Sequence, residues 1–171
     1  MGSGRRGQVV QPHRHSHVLG EYGDAGEQDA LDAIAAASEE GDLSRLVDSV
    51  LGGDSAGLEA ELTRLHSVGV EGISLVRPAL LRRLGLLAKL RAEVDQGNSV
   101  SAVMASSGKS LFWKDKELFG RLLGLWDAKG LARVAERAGR LERDLLVSPA
   151  SNREALGEEL LSIARAARGR R

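Results

Sequence analysis

The chain has 171 residues, no cysteine, an apolar share of 42% and 21 glycines. That length allows one domain, or one domain with a piece of another, and an apolar core of useful size. The lack of cysteine excludes a disulfide framework and thiolate metal sites and fits a reducing compartment such as the cytoplasm, and no run of about 18 apolar residues exists to span a membrane. The formal net charge is zero, but it is unevenly spread. Residues 1–17 carry three arginines and no acid, residues 18–71 carry 13 acids against two bases (Arg45 and Arg64), and residues 72–171 carry 19 bases against 11 acids. Such blocks point to packing on one another or to separate partners. The bases of the third block alternate with acids, which does not make a nucleic-acid footprint.

Residues 1–26 show no hydrophobic period and are expected to be disordered, with a polar cluster at His13–His17. No apolar stretch follows the basic start, so no signal peptide is expected. From Glu27 the 3.6-residue period takes over. Residues 28–37 read as an Ala-rich helix. Asp42 reads as the N-cap of a second helix with Leu43, Leu46, Val47, Val50 and Leu51 on one face, ended by Gly52 and Gly53. Asp54 reads as the cap of a third, with Leu58, Leu62, Leu65 and Val68 inward and Gly69 as its stop. The longest helix is expected over about 73–95, bent or started late by Pro78.

Gln96-Gly97-Asn98 breaks the chain, and Ser99 caps a short helix to about Ser106. An aromatic helix follows at about 112–125. Asp127 caps a long helix that buries Leu131, Val134, Ala138, Leu141 and Leu145, leaves Arg133, Arg137 and Arg140 as a basic edge, and ends at Ser148-Pro149. Ser151 or Asn152 caps the last helix, with Leu156, Leu160, Ile163 and Ala167 inward and a frayed terminal ARGRR. Strand alternation occurs nowhere, and the unequal helix spacing argues against a solenoid.

Four of the five aromatic residues (Phe112, Trp113, Phe119 and Trp126) fall in one short stretch. Rings bury more area than leucine and favour specific mutual geometry, so this stretch is expected to be where helices converge.

The search for chemistry returns no catalytic, cofactor-binding or metal-binding residues. Gly108-Lys109-Ser110 ends like a phosphate loop, but Val103 stands where that motif requires its first glycine and no strand precedes it. His13, His15 and His17 lack an acidic partner nearby, and His66 stands alone near a helix C-terminus. The pairs Glu39-Glu40, Glu158-Glu159 and Asp29/Asp32 read as solvated helix surface. For the basic edge, a solvated face with Glu136 and Arg140 paired one turn apart is weighed against contact with an acidic neighbour, which arginine forks suit.

Three stretches together resemble the C-terminal part of the delta subunit of bacterial DNA polymerase III, a clamp-loader protein. The first is GDLSRLVD at Gly41–Asp48, followed by Gly52-Gly53-Asp54 and Arg64-Leu65. The second is GVEGI at Gly69–Ile73 leading into LLRRLGLLAKLRAEV at Leu80–Val94, with Gly72 where the family commonly has proline and with Pro78 outside its pattern. The third is Leu111-Phe112-Trp113-Lys114-Asp115-Lys116, followed by Arg121-Leu122 and Trp126. The closing stretch Leu160–Arg168 is similar to alphaproteobacterial members.

The resemblance covers about Leu31 to Arg168 and implies an all-α orthogonal bundle: residues 1–26 unmatched, 27–53 a helical remnant of the family's lid domain, and 54–171 its collar domain. It implies a role in DNA replication without cofactor. The collar would assemble with gamma/tau and delta-prime type subunits to load the sliding clamp, meeting DNA only through the complex. The clamp-opening domain of the family has no counterpart here, so contact with the clamp is not expected of this chain, and any polymerase (nucleotidyltransferase) activity would belong to the holoenzyme. Phe112, Trp113, Lys114, Lys116, Trp126, Arg133, Arg137 and Arg140 are the candidate interface or structural residues. A reading from a different class keeps the chain as a free-standing helical adaptor or nucleic-acid binder using its basic half.

Overall fold

A computed structural model describes residues 19–108, 111, 113–148 and 152–170, with the backbone alone at 19–24, 73 and 152. The chain is all-helical, with no strand among the described residues. The helices are α1 (Leu19–Leu51), α2 (Leu58–Ser67), α3 (Gly72–Leu75), a π-helical segment (Val76–Leu81), α4 (Arg82–Asp95), α5 (Val100–Ser106), α6 (Trp113–Leu125), α7 (Ala128–Val147) and α8 (Asn152–Arg168). Among the described residues no helix is long and apolar enough to cross a membrane.

Two compact units divide at Glu39/Glu40. The first holds the N-terminal part of α1, whose side chains from 25 to 39 are all exposed, Leu31 and Ile34 among them. The second holds everything from Glu40 onward. This differs from the expected arrangement in two ways. Helix begins at Leu19, inside the stretch expected to be disordered, while residues 1–18 lie outside the described part. Residues 40–53, expected to go with 27–39, join the main unit instead: Leu43, Val47, Val50 and Leu51 are buried in its core.

Helix α1 runs unbroken through Gly41-Asp42, so Asp42 is not an N-cap. Its carboxylate instead meets Arg45 one turn on and reaches Arg64 of α2 at 3.4 Å. Gly52 and Gly53 do end the helix. Gly53 adopts φ +86°, and the Gly53 and Asp54 amides donate back to Val50 and Ser49 at 3.0 and 2.8 Å, satisfying carbonyls of the last turn. Asp54 accepts the Ala56 amide at 2.9 Å and does not cap α2, which starts only after Gly57 at φ +73°. Val68, past the end of α2, faces solvent.

Helix is continuous from Gly72 to Asp95, and Pro78 neither delays its start nor ends it. Proline lacks an N–H, and its ring would strike the carbonyl four residues back in an α-helix. The wider π turn over Val76–Leu81 accommodates it. Two caps sit as the sequence implies: the Ser99 hydroxyl accepts the Ala102 amide at 3.1 Å, and the Asp127 carboxylate accepts the Gly130 amide at 2.7 Å.

Helix α4 is the hub, packed by α5, α6, α7 and the π segment, while α8 closes α7 and α2. Leu80, Leu87, Phe119, Ala138 and Leu160 have no exposed surface. Every residue expected to face inward on α7 and α8 is buried.

Candidate functional site

Helical periodicity divides the aromatic segment. Phe119 and Trp126 lie two turns apart on one face and are buried, with Leu122 and Leu123 beside them. Trp113, a third of a turn round, is 77% exposed, with the Lys114 ammonium 5.4 Å from its ring centre. Helices do meet at this stretch, since α6 packs on α4 and α5, but the rings divide: Phe119 and Trp126 face the core, Trp113 faces solvent, and Phe112 lies outside the described residues. Lys114 is exposed, and half-buried Lys116 brings its Nζ toward Gly108. Lys109 and Ser110 lie outside the described residues, as do His13, His15 and His17. His66 is exposed.

Trp126 is a joint between distant parts of the chain. Its Nε1–H donates to the Leu51 carbonyl at 2.9 Å, and the Arg170 guanidinium lies 5.1 Å from its ring centre. Arg170 also meets the Asp127 carboxylate at 3.0 Å. The Gly130 amide first, and Arg170 second, hold the Asp127 carboxyl below the usual aspartate range. Of the tail expected to fray, Arg168 and Arg170 are docked: Arg168 bonds to Ser55 and packs on Gly53, while Arg170 packs on Gly130; Arg171 lies outside the described residues. A Cβ at Gly130 would lie 2.7 Å from both Asp127 Oδ1 and Arg170 Nη2. Since the Arg170 fork is the mobile party, Gly130→Ala is expected to expel it. Overpacking, about 1–3 kcal/mol, then works against alanine's helix-propensity gain of about 1 kcal/mol. The net result is a small loss in urea denaturation. The informative outcome is non-additivity: Arg170→Ala costs stability in the unaltered chain and nothing further in the Gly130→Ala background.

An ion-pair network joins three helices. Arg83 of α4 meets Asp48 of α1 at 3.0 Å and Asp115 of α6 at 3.8 Å, and its guanidinium lies 5.1 Å from the Phe119 ring centre. The Arg83 and Asp48 side chains are only 18% and 15% exposed. Burial pushes the Asp48 carboxyl above the usual aspartate range, and Arg83 opposes that by charge and hydrogen bonding. None of these three residues stood out in the sequence as functional, yet each holds a core-register position: Arg83 beside Leu80, Leu84 and Leu87, Asp115 one turn before Phe119, and Asp48 one turn before Leu51.

The basic edge of α7 does not act as one surface. Arg137 bonds Glu159 at 2.8 Å and the Ser162 hydroxyl at 2.9 Å, clamping α8. Arg140 pairs with Glu136 at 2.8 Å, the i,i+4 pair anticipated from spacing. Arg133 stays exposed. The carboxylates read as solvated surface are likewise partly engaged, since Glu40 meets Arg82 at 3.3 Å and Glu159 is mostly buried. No cluster of His, Cys, Asp and Glu suited to a metal ion occurs among the described residues.

An open groove of about 1040 Å³ lies between the C-terminal part of α1, α6 and Arg170, floored by Leu118, Leu122 and Leu125. Comparison of the chain with family models, with curated proteins and with solved structures returned no match.

Proposed function

We propose that the chain is a structural assembly module of the clamp-loader collar kind, an orthogonal helical bundle acting in the cytoplasm during DNA replication as part of a delta-type subunit. The observation that carries this reading is the ordered set of family-like motifs, whose apolar positions contribute to one core. The buried apolar residues between Leu43 and Leu51, Leu80 and Leu90, and Phe119 and Trp126 all belong to one hydrophobic cluster. Its mechanism is burial of helix faces against gamma/tau and delta-prime type neighbours, with DNA met through the complex. Exposed apolar side chains at Trp113, Leu146 and Val147 support a surface that gains from being covered.

Arg137 and Arg140 are poor probes of such an interface, because reversing Arg137 would break α7 from α8. Arg133 and Trp113 are cleaner. The test mixes the purified chain with gamma/tau and delta-prime type subunits and reads the mass on size exclusion. Co-elution at a fixed stoichiometry, weakened by Trp113→Ala, is expected. A chain that elutes alone overturns the reading. Submicromolar DNA binding falling log-linearly with salt would favour the adaptor reading instead.

A further inference from the structure

We infer that the groove beside α6 receives the acidic N-terminal arm of α1 from a second copy of this chain. The two halves of the inference are visible separately. Residues 19–39 of α1 carry six acids and no base, and the arm presents exposed Leu31 and Ile34 on one side. Those two residues and Ala35 make a short apolar stripe, with Asp32 beside it and Glu27 one turn before Leu31. A helix of this kind gains from an apolar trough with a basic rim.

The groove has that chemistry. Leu118, Leu122 and Leu125 recur at helical spacing along its floor, and Arg45, Arg121 and Arg170 stand on its rim. Of the acids that share the lining, Asp48 is paired with Arg83, while Asp54 accepts the Ala56 amide and keeps its charge. Arg45 and Arg170 already meet Asp42 and Asp127. Arg121 pairs with no carboxylate among the described residues, so a carboxylate arriving with a partner helix meets an unspent guanidinium there. Charge complementarity between an arm of a single sign and this rim selects a second copy as the occupant. Because each copy offers one arm and one groove, two copies can exchange arms reciprocally, a closed two-fold arrangement that makes the same contact twice.

The inference goes beyond the proposed collar role and stands or falls independently of it, since it is read on the purified chain alone. Sedimentation equilibrium of the full chain should show a mass rising with concentration from 18.2 kDa toward twice that value. Association should weaken by about tenfold or more when salt is raised from low to physiological strength, as expected of charge-assisted contacts. Two variants each remove one half: Leu31→Asp with Ile34→Asp spoils the arm, and Arg121→Glu spoils the rim. All three positions are exposed, so helicity by circular dichroism should be unchanged. Each variant alone should be monomeric. Mixed, they should associate more than either alone but less than the unaltered chain, because the one intact groove and the one intact arm form a single contact instead of two. A chain that stays monomeric at all concentrations overturns the inference. So does a dimer indifferent to both variants, or a mixture no more associated than its parts.

Discussion

Arg83→Met is expected to be among the most damaging single substitutions in this protein. Two carboxylates face the Arg83 guanidinium, and Asp48 is largely removed from water. Deleting one partner of a buried pair leaves the other charge uncompensated, which costs about 3–5 kcal/mol. With a urea slope of about 1–3 kcal/mol/M for a chain of this class, the midpoint should fall by a molar unit or more. The paired substitution Asp48→Leu with Arg83→Met should recover most of that loss, because an apolar replacement of both partners removes the desolvation problem together with the attraction. A loss below about 1 kcal/mol for Arg83→Met, or a double variant no better than the single, would show that the network carries little of the fold.

The same site fixes a direction for pH dependence. Burial raises the Asp48 carboxyl in the folded chain above its unfolded value. Between those two values the folded state holds more protons than the unfolded state, so this group's contribution to stability falls as pH rises through that window and is recovered on acidification. Removing Arg83 removes the influence that opposes the rise, which widens the window. The deficit of Arg83→Met relative to the unaltered chain should therefore shrink as pH is lowered into the carboxylate range. Urea midpoints of both chains at neutral and mildly acidic pH measure this directly, and a deficit that grows on acidification would contradict the assignment.

Local chemistry made much of this fold legible. Ser99 and Asp127 cap helices where their spacing from the first apolar residues places them, because a side-chain oxygen two or three residues before unpaired amides has little else to do. Gly52-Gly53 ends α1 because the left-handed turn there suits glycine. Asp42 misled by the same logic. It has the right chemistry for a cap, but the helix on its N-terminal side continues through Gly41, and its carboxylate serves Arg45 and Arg64 instead. The aromatic cluster marked a place where helices meet but not which rings serve it, because nearness in sequence is not nearness on a helix: Trp113 and Phe119 project to different faces. Arg83, Asp48 and Asp115 were legible only jointly. Each alone reads as a surface charge that strays into an apolar stripe, and only the fold shows that the three strays meet. The candidate site was the least legible part, since the roles of Arg137 and Arg170 depend on contacts with Glu159 and Trp126 across distant stretches of chain.

Trp126 carries the second large effect. It is 1% exposed and stands at the corner between α6 and α7. Its indole donates to the last carbonyl of α1 and is covered by the C-terminal Arg170. Replacing a buried ring by a methyl group loses its transfer free energy and leaves a cavity, together about 3–5 kcal/mol. Trp126→Phe separates the parts: most of the apolar bulk remains, but the Leu51 carbonyl loses its donor, a penalty of about 1–3 kcal/mol for a buried polar group. The two variants should therefore differ clearly, with Trp126→Ala the worse. Trp113 is well suited to a silent background, because at 77% exposure its replacement by Phe should leave stability nearly unchanged. In a Trp113→Phe chain the one remaining indole reports the corner alone, and its emission should shift to the red on unfolding. Arg170→Ala in that background should change the emission of the folded chain, because it uncovers the ring. Equal losses for Trp126→Phe and Trp126→Ala would assign the whole effect to the hydrogen bond, whereas a loss below about 1 kcal/mol for Trp126→Ala would mean that this corner is not what ties α1 to the rest of the bundle.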